Sequence, residues 1–486
     1  MSPSQPLGAL ETAAAVRSGE LDVLELAEQT LASARSIGAR TGAFAHLLDD
    51  LTREQARGVS EQLGDARRSG REQELAAQLP LLGVPLPIKD LTQIAGAPFE
   101  AGSAALAGNI ATVTDGIAQK ILDAGTLTIG KTTTPEFGMP CYTEPATGAP
   151  ARTPWDLRRT AGGSSGGAAA AVASGVVPIA HGSDGGGSVR IPAACCGIVG
   201  LKPSRGVVSP GPYGSEGMGL VTDGVLARSV RDAAAGLDLI AGSRTGDFTP
   251  SQASERSYLA RFDEDVRALA PLRIAVLREP LAVETEVHPA ALRGLERALE
   301  LLRGLGHVTT EIRAPFTPED WMSFMPLWTV GAATIPLTEA QEGTLLELTR
   351  WLRERGRSYS GADLARALSA VQSLSRRTLE GFAPFDLVIT PTLAAPPAFP
   401  EELQLPDGEA DFFAQCAFTP WTSTWNMLGT AAVSVPVHRE QIDGTELPFG
   451  VQLGATRPGD EALLLAVAAQ LEAHDPWPLV RVPQLA

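Results

Sequence analysis

Two serines in glycine-rich turns, Ser164 and Ser188, are the residues of this chain whose types and spacing could perform chemistry together. Ser164 lies in TAGGSSGG, and Ser188 follows in SDGGGSVRIPAACCG. Glycine beside a serine lets the backbone approach a bound carbonyl group and direct several N–H groups at its oxygen. This pattern is typical of acyl transfer, in which a serine attacks a carbonyl carbon beside donors that stabilise the oxyanion.

A lysine upstream of both serines, Lys89 in GVPLPIKD, could supply the base that a nucleophilic serine requires. A serine hydroxyl is a weak nucleophile at neutral pH and needs a neighbouring proton acceptor. An isolated lysine is usually solvated at the surface. The apolar run before Lys89, however, predicts a strand that ends near a buried region, where burial would lower the pKa of the amine.

Charged residues close to Ser188 are predicted to support the site rather than to exchange protons. Asp184 and Arg190 lie in apolar and glycine-rich surroundings, which favours an ion-pair or supporting role. His181 is expected to be a hydrogen-bonded core residue. Ser165 is also predicted to support the site, and it is expected to cap the helix predicted for AAAAVASG, because serine is a favoured N-cap residue.

Two other motifs match known patterns and indicate different classes of protein. Gly162–Gly166 matches the G-x-S-x-G nucleophile elbow, for which His438 or His474 could serve as the later histidine. Gly125–Thr132 matches the phosphate-binding G-x4-G-K-[ST] pattern, which would make the chain a P-loop nucleotide-binding protein. Its β-branched residues indicate a strand, and the threonines and Pro135 that follow make a poor helix start, so the match is expected to be accidental.

The serine and lysine blocks together resemble the amidase signature family. The resemblance continues through KTTTPEFG (131–138), FDLVITPT (385–392), NMLGTAAVSVPV (426–437) and LPFGVQLGA (447–455). It implies that Ser188 is the nucleophile, that Ser164 relays its proton after a cis peptide bond, and that Lys89 is the base. It further implies an oxyanion hole formed by the N–H groups of Gly185, Gly186, Gly187 and Ser188, with no metal and no organic cofactor.

Short apolar strands that alternate with helices predict an α/β fold whose largely parallel or mixed sheet has helices on both faces. The resemblance implies one domain, with N-terminal helices in residues 1–70 packed on an amidase signature core of residues 71–486. It also implies that the helical segment of about residues 310–380 covers the active site.

Aromatic residues cluster in two places although the chain is only 5% aromatic. The clusters predict a roomy pocket whose wall includes Met139, Trp328, Trp421 and Trp425. The alternative is that these aromatic side chains pack between helices in the core.

The substrate implied by the resemblance is a non-peptide amide, either an aryl or an alkyl acylamide, with oligoamides and carbamates (urethanes) as further candidates. The sequences of these motifs most resemble those of the branch that contains nylon-oligomer (6-aminohexanoate cyclic dimer) hydrolase, aryl acylamidase and urethanase. A nylon-oligomer relative uses a cysteine in its covering segment, whereas this chain has none between Cys196 and Cys416. The alternative within the family is the amidase subunit of a tRNA-dependent amidotransferase, which Gly185 and Ile191 disfavour.

Composition agrees with an enzyme that acts on small molecules. The chain has 486 residues, 44% of them hydrophobic, and a formal net charge of −17, which disfavours nucleic-acid binding. The four cysteines show no metal-ligand spacing and are expected to be reduced and buried. Charged residues near the N-terminus and the lack of a long apolar run predict neither a signal peptide nor a membrane span. We expect a cytoplasmic protein, either a monomer or a homodimer.

Overall fold

The computed structural model describes residues 6–250, 252–478 and 480–481. The strands of this part of the chain are β1 (Phe44–Leu47), β2 (Ile88–Lys89), β3 (Gly130–Thr132), β4 (Ile179–Asp184), β5 (Val199–Lys202), β6 (Thr222–Ala227), β7 (Arg273–Val276), β8 (Val308–Glu311), β9 (Leu387–Pro391), β10 (Ala432–Ile442) and β11 (Thr445–Ala455).

The helices before residue 270 are α1 (Ala9–Ser18), α2 (Val23–Ser33), α3 (Asp49–Ser69), α4 (Glu72–Gln78), α5 (Gly116–Asp123), α6 (Gly166–Ala173), α7 (Arg190–Cys196), α8 (Val230–Ile240) and α9 (Tyr258–Ala268). Those that follow are α10 (Pro289–Gly304), α11 (Pro318–Trp321), α12 (Phe324–Ala333), α13 (Glu339–Glu342), α14 (Glu347–Ser358), α15 (Gly361–Phe382), α16 (Pro400–Leu403), α17 (Gly408–Phe418), α18 (Thr424–Leu428) and α19 (Glu461–His474). A π-helical turn, Ala34–Gly38, extends α2, and 3₁₀ turns lie at Ala104–Leu106 and Glu136–Gly138.

An eight-stranded mixed sheet in the order β4-β6-β5-β10-β11-β9-β7-β8 forms the centre of the fold. Neighbours from β4 to β9 are antiparallel, and β9, β7 and β8 are parallel. Side chains alternate between two cores, as a pleated strand requires. Val225 and Ala227 of β6 lie in a core with α8, α10 and α19, whereas Leu226 lies in another with α6. The predicted mixed sheet with helices on both faces is confirmed.

A second sheet of three strands, in the order β1-β3-β2, carries Lys89. Strand β2 runs parallel to β3, and β1 runs antiparallel to β3. The prediction of helices alone for residues 1–70 is incomplete, because β1 lies between α2 and α3 and pairs with Lys131 and Thr132. Its four residues are too short for a strand to stand out from the helical patterns on either side. The grouping of the chain into one domain stays a prediction.

The segment of residues 310–380 is helical, as predicted, and comprises α11 to α15. With α17 and α18 it encloses a third core that includes Trp321, Phe324, Trp421 and Trp425. This helical cover places aromatic side chains beside the end of β4, where Ser188 follows. Among the helices that the structure describes, none combines the length and the apolar character needed to cross a bilayer.

Candidate active site

Lys89 is held at the end of the two-residue strand β2, and none of its side chain is exposed. Its backbone N–H donates to His181 Nδ1 at 3.3 Å, and His181 Nε2 lies 2.9 Å from Asp223 Oδ1. The predicted role of His181 as a hydrogen-bonded core residue is confirmed. These bonds fix the strand that directs the lysine toward the serine turns.

The Lys89 amine contacts two serines. Its Nζ donates to Ser164 Oγ at 2.8 Å, to Ser183 Oγ at 3.1 Å and to the Ser183 carbonyl at 3.3 Å. Burial lowers the pKa of Lys89 to about 7, although the charges of Asp184 and Asp223 oppose this change. The neutral amine is therefore populated near neutral pH, as a general base requires.

A buried ion pair lies directly beside Lys89. Lys131 Nζ contacts Asp90 Oδ1 at 2.6 Å, and the other carboxylate oxygen of Asp90 accepts from Ala101 N at 3.0 Å and from Glu100 N at 3.2 Å. Lys131 lies inside strand β3 and has no exposed surface. A phosphate loop needs its lysine at the start of a helix. The phosphate-loop alternative for Gly125–Thr132 is therefore wrong.

Ser164 follows a cis peptide bond with Gly163, which confirms that expectation. A Cβ atom at Gly163 would lie 2.4 Å from the carbonyl oxygen of Tyr142, so only glycine fits there. Ser165 occupies the N-cap position of α6, but its side chain makes no capping bond. Instead, Ser165 Oγ donates to the Ser183 carbonyl at 3.3 Å, so the predicted cap is wrong and the hydroxyl ties the serine turn to β4.

The turn from Gly185 to Ser188 connects β4 to α7 and meets the first serine turn. Ser165 N–H donates to the Ser188 carbonyl at 3.1 Å. Gly187 N–H donates to Asp184 Oδ1 at 2.8 Å, so this N–H does not point at a substrate. The predicted oxyanion hole of four N–H donors therefore loses Gly187. Within residues 6–250, 252–478 and 480–481, no hydrogen bond uses the N–H groups of Gly185, Gly186 or Ser188.

Asp184 and Arg190 form a buried pair that shapes this turn. Arg190 donates to both carboxylate oxygens of Asp184 at 2.8 and 3.0 Å, and Asn426 Nδ2 donates to Oδ1 at 2.9 Å. Although burial opposes ionisation, the charge of Arg190 and these hydrogen bonds lower the pKa of Asp184 to about 2. The ionised carboxylate holds Gly187 N–H and Val189 N–H, which agrees with the predicted supporting role.

A small cavity of about 60 Å³ lies beside Ser188, which is 7% exposed. The wall of this cavity carries no Asp, Glu, Lys, Arg or His side chain. The residues that line it are Met139, Pro140, Cys141, Gly186, Ser188, Ile191, Ala282, Trp321, Phe324, Trp328, Phe412, Gln415, Cys416, Thr419 and Ser423. Met139 and Trp328 therefore lie where they were predicted. The prediction of a roomy pocket is wrong for this cavity. A larger cavity of about 1440 Å³ borders Leu327 and Gly331 on another face of α12.

Three aromatic rings from the helical cover stack along the cavity. The ring centroids of Trp321 and Phe324, and of Phe324 and Trp328, are each 5.3 Å apart. A Cβ atom at Gly185 would lie 3.1 Å from the Trp328 ring, so this glycine lets the ring approach the turn before Ser188.

Trp421 and Trp425 were predicted as cavity walls, and that prediction is wrong. Both have no exposed surface and lie outside the cavity wall. Trp421 Nε1 donates to the carbonyl of Glu279 at 2.9 Å, and the Trp425 ring packs against the backbone of Gly454. Sequence clustering alone could not separate rings that pack between helix and sheet from rings that face the cavity.

The nucleophile-elbow alternative is also wrong. His438 Nε2 lies 3.1 Å from Glu440 Oε2, and His474 Nδ1 lies 3.0 Å from the carbonyl of Gln470. Ser164 is bound by Lys89 instead. Within the part of the chain that the structure describes, no group of three His, Cys, Asp or Glu side chains is suited to hold a metal ion. All four cysteines are free and buried.

Sequence reasoning missed several contacts of the site. Ser183 contacts the lysine, and Thr422 Oγ1 donates to the carbonyl of Gly186 at 2.7 Å. The composition contained one signal of buried lysines. Only four of the 39 basic residues are lysines, so arginine can supply nearly all of the exposed positive charge. Lys89, Lys131 and Lys202 are buried and Lys120 is partly buried, so arginine supplies the exposed positive charge.

Known proteins resemble this chain over nearly its whole length. A family model described as Amidase matches residues 25–465. The chain is 34% identical over 494 residues to the 6-aminohexanoate-cyclic-dimer hydrolase of Paenarthrobacter ureafaciens, an alignment that covers 97% of this chain and 95% of that protein. A structure of 6-aminohexanoate cyclic dimer hydrolase complexed with substrate matches with a TM-score of 0.86 at 30% identity over 98% of each chain. A bacterial aryl acylamidase of the amidase signature family shares the fold, with a TM-score of 0.84 at 24% identity over 98% of each chain.

Proposed function

Because this chain belongs to the amidase family and is an amide-cleaving enzyme, we propose that it hydrolyses small, uncharged aryl or alkyl acylamides through Ser188, Ser164 and Lys89. The observation that carries the catalytic assignment is the 2.8 Å hydrogen bond from the buried Lys89 amine to Ser164 Oγ. A surface lysine would stay protonated, whereas this amine has a pKa of about 7 because it is buried.

In the first half of the reaction, Ser188 Oγ attacks the carbonyl carbon of the amide and forms a C–O bond. Its proton passes to Ser164 Oγ, while the proton of Ser164 passes to the neutral Lys89 amine. The negative charge that develops on the carbonyl oxygen is stabilised by the N–H groups of Gly185, Gly186 and Ser188. Losing one such donor typically costs about 3–4 kcal/mol of transition-state stabilisation.

The C–N bond then breaks, and the departing nitrogen takes the proton back along the same route, which completes the first half of the reaction. The acyl group remains on Ser188 as an ester. Water then attacks this ester with the same base, and the acid leaves. The reaction needs only the three side chains, the N–H donors and water.

The uncharged wall of the cavity is evidence that the part of the substrate bound there carries no charge. Its residues include no Asp, Glu, Lys, Arg or His, and its aromatic stack offers apolar surface. The amide of Gln415 is engaged by Cys141 N–H and by Asp411, and Ser423 Oγ accepts from Trp321 Nε1 at 2.9 Å. An apolar wall with few free polar groups fits an acyl or aryl group better than an amino acid.

The reaction is tested by release of nitroaniline from 4-nitroacetanilide and from the matching methyl carbamate, without ATP. Wild type is expected to cleave the anilide, and Ser188→Ala to lose about 10⁴-fold or more in rate, as for other serine nucleophiles. A variant within about ten-fold of wild type would exclude Ser188 as the nucleophile, because loss of a nucleophile costs far more. The ratio of the two wild-type rates tells whether carbamates are also substrates.

The alternative of an amidotransferase subunit is tested on the same proteins, with glutamine as the substrate and ammonia as the detected product. Ile191 lines the cavity, and no charged side chain there could bind the ammonium or carboxylate of glutamine. We therefore expect no ammonia from glutamine. Ammonia released at a rate comparable to anilide cleavage would favour the amidotransferase subunit, which would then act with partner chains.

A further inference from the structure

A ring of hydrogen bonds joins helix α17 of the cover to the segment that precedes the first serine turn. Asp411 of α17 is 1% exposed and accepts from Tyr142 OH at 2.7 Å. It also accepts from Gln415, one turn later on the same helix, and from Leu405 N–H at 3.1 Å. Gln415 Oε1 accepts from Cys141 N–H at 2.7 Å. We call Cys141, Tyr142, Asp411 and Gln415 the interwall clamp.

The first side of the clamp backs the catalytic serine turn. Met139, Pro140 and Cys141 line the cavity beside Ser188. The Tyr142 backbone packs against Gly163, and Thr143 Oγ1 donates to the carbonyl of Gly162 at 2.8 Å. Gly163 immediately precedes Ser164, so a shift of Tyr142 moves the hydroxyl that contacts Lys89.

The second side of the clamp is the opposite wall of the cavity. Phe412, Gln415 and Cys416 of α17 line it, together with Thr419, which follows the helix. Asp411 points from the same helix to Tyr142. The separation between α17 and the Met139–Cys141 wall is therefore set by two hydrogen bonds, one from Tyr142 OH to the buried Asp411 carboxylate and one from Cys141 N–H to Gln415 Oε1.

We propose that the interwall clamp positions Ser164 and fixes the width of the cavity, and that Asp411 and Tyr142 are positioning residues for amide hydrolysis. This inference rests on the proposed function of Ser164 and Ser188. An ionised carboxylate can accept from all the donors that surround Asp411. Burial raises the pKa of Asp411 to about 6, so it is ionised at pH 8, where the Lys89 amine is also mostly neutral.

The test compares wild type with Tyr142→Phe, which deletes the hydroxyl of the clamp and keeps the ring. Tyr258→Phe is the matched control, since Tyr258 is also buried and its hydroxyl accepts from Ser254 N–H at 3.2 Å, away from the cavity. At pH 8 with 4-nitroacetanilide, we expect kcat of Tyr142→Phe to fall about ten- to hundred-fold, because small displacements of catalytic groups are costly. Tyr258→Phe should keep kcat within about two-fold, because the Tyr258 hydroxyl bonds to Ser254 and neither residue belongs to a wall of the cavity, so no catalytic group is displaced.

A second readout does not depend on turnover. Cys141 and Cys416 lie on the two walls that the clamp joins, so opening of the clamp exposes their thiols. N-ethylmaleimide labelling, located by peptide mass spectrometry at pH 8, should be about ten-fold or more faster at these cysteines in Tyr142→Phe than in wild type or Tyr258→Phe. Equal labelling rates in the three proteins would overturn the clamp. Labelling that changes while wild type cleaves none of the amides would support the clamp and contradict the proposed function.

Discussion

Replacing Lys89 with methionine should abolish catalysis and, at low pH, stabilise the fold. The Lys89 side chain has no exposed surface, and its pKa falls from 10.5 to about 7 because of burial, opposed by Asp184 and Asp223. This difference corresponds to about 5 kcal/mol of unfolding free energy. At pH 6 the amine is charged in both states, so the native state of the wild type bears this whole cost.

The sign of the effect follows from the direction of the pKa change. The native pKa lies below the unfolded one, so between pH 7 and 10.5 the unfolded chain retains a proton that the native state has lost. The cost is fully present below pH 7 and disappears as the pH rises through this window, by up to about 1.4 kcal/mol per pH unit. Stability contributed by this site therefore increases with pH.

Methionine also removes the hydrogen bonds that Lys89 donates to Ser164 and Ser183. Leaving these buried partners unpaired costs about 1–3 kcal/mol at any pH. The net expectation is that Lys89→Met exceeds the wild type by about 2–4 kcal/mol in unfolding free energy at pH 6. The two proteins should be about equal in stability at pH 9, where most of the cost of the buried charge has gone.

The assay is urea unfolding followed by tryptophan fluorescence at pH 6, 7.5 and 9, with hydrolysis of 4-nitroacetanilide measured on the same samples. Lys202→Met is the matched control, because Lys202 is 2% exposed and burial lowers its pKa to about 7 as well. It should show the same trend of stability with pH. A Lys89→Met variant that is less stable than wild type at pH 6, or whose stability difference does not change with pH, would refute the lowered pKa and with it the assignment of the base.

Three further outcomes follow from the site. The wild-type kcat/KM should fall about ten-fold per pH unit below pH 7 as Lys89 becomes protonated, and a flat profile from pH 5 to 8 would contradict its role as base. Arg190→Met leaves Asp184 buried without its partner and should lower the unfolding free energy by about 3–5 kcal/mol in urea, so a loss under about 1 kcal/mol would show that the pair is dispensable. Trp328→Ala should change the ratio of rates on acetyl and bulkier acyl anilides more than it changes Tm, whereas an equal rate loss on all of them would assign Trp328 to packing.

Local sequence could predict the parts of the site that short segments carry. Glycines around Ser164 and Ser188 indicated tight turns that aim N–H groups, and the apolar run before Lys89 indicated burial. The structure places Lys89 Nζ 2.8 Å from Ser164 Oγ. The alternation of strands and helices likewise predicted the mixed sheet, because each pattern spans several residues with one period.

The remaining features depend on tertiary contacts that no local pattern specifies. Gly187 lies in the same glycine run as Gly185 and Gly186, yet its N–H is taken by Asp184. Trp421 and Trp328 are both aromatic residues of the cover, but only Trp328 faces the cavity. Strand β1 forms because β3 offers an edge to pair with, which its four residues could not reveal. The small size of the cavity follows from the side chains that α12 and α17 place in its wall.

The acyl-enzyme intermediate tests the central claim most directly. Wild type and Ser188→Ala would be mixed with 4-nitrophenyl acetate, quenched in acid within the first turnover, digested and analysed by mass spectrometry. The mechanism predicts one acetyl group on Ser188 of the wild type, lost on further incubation, and none on the peptide of the variant. Acetylation of another residue at the same rate in both proteins would contradict a serine mechanism centred on Ser188.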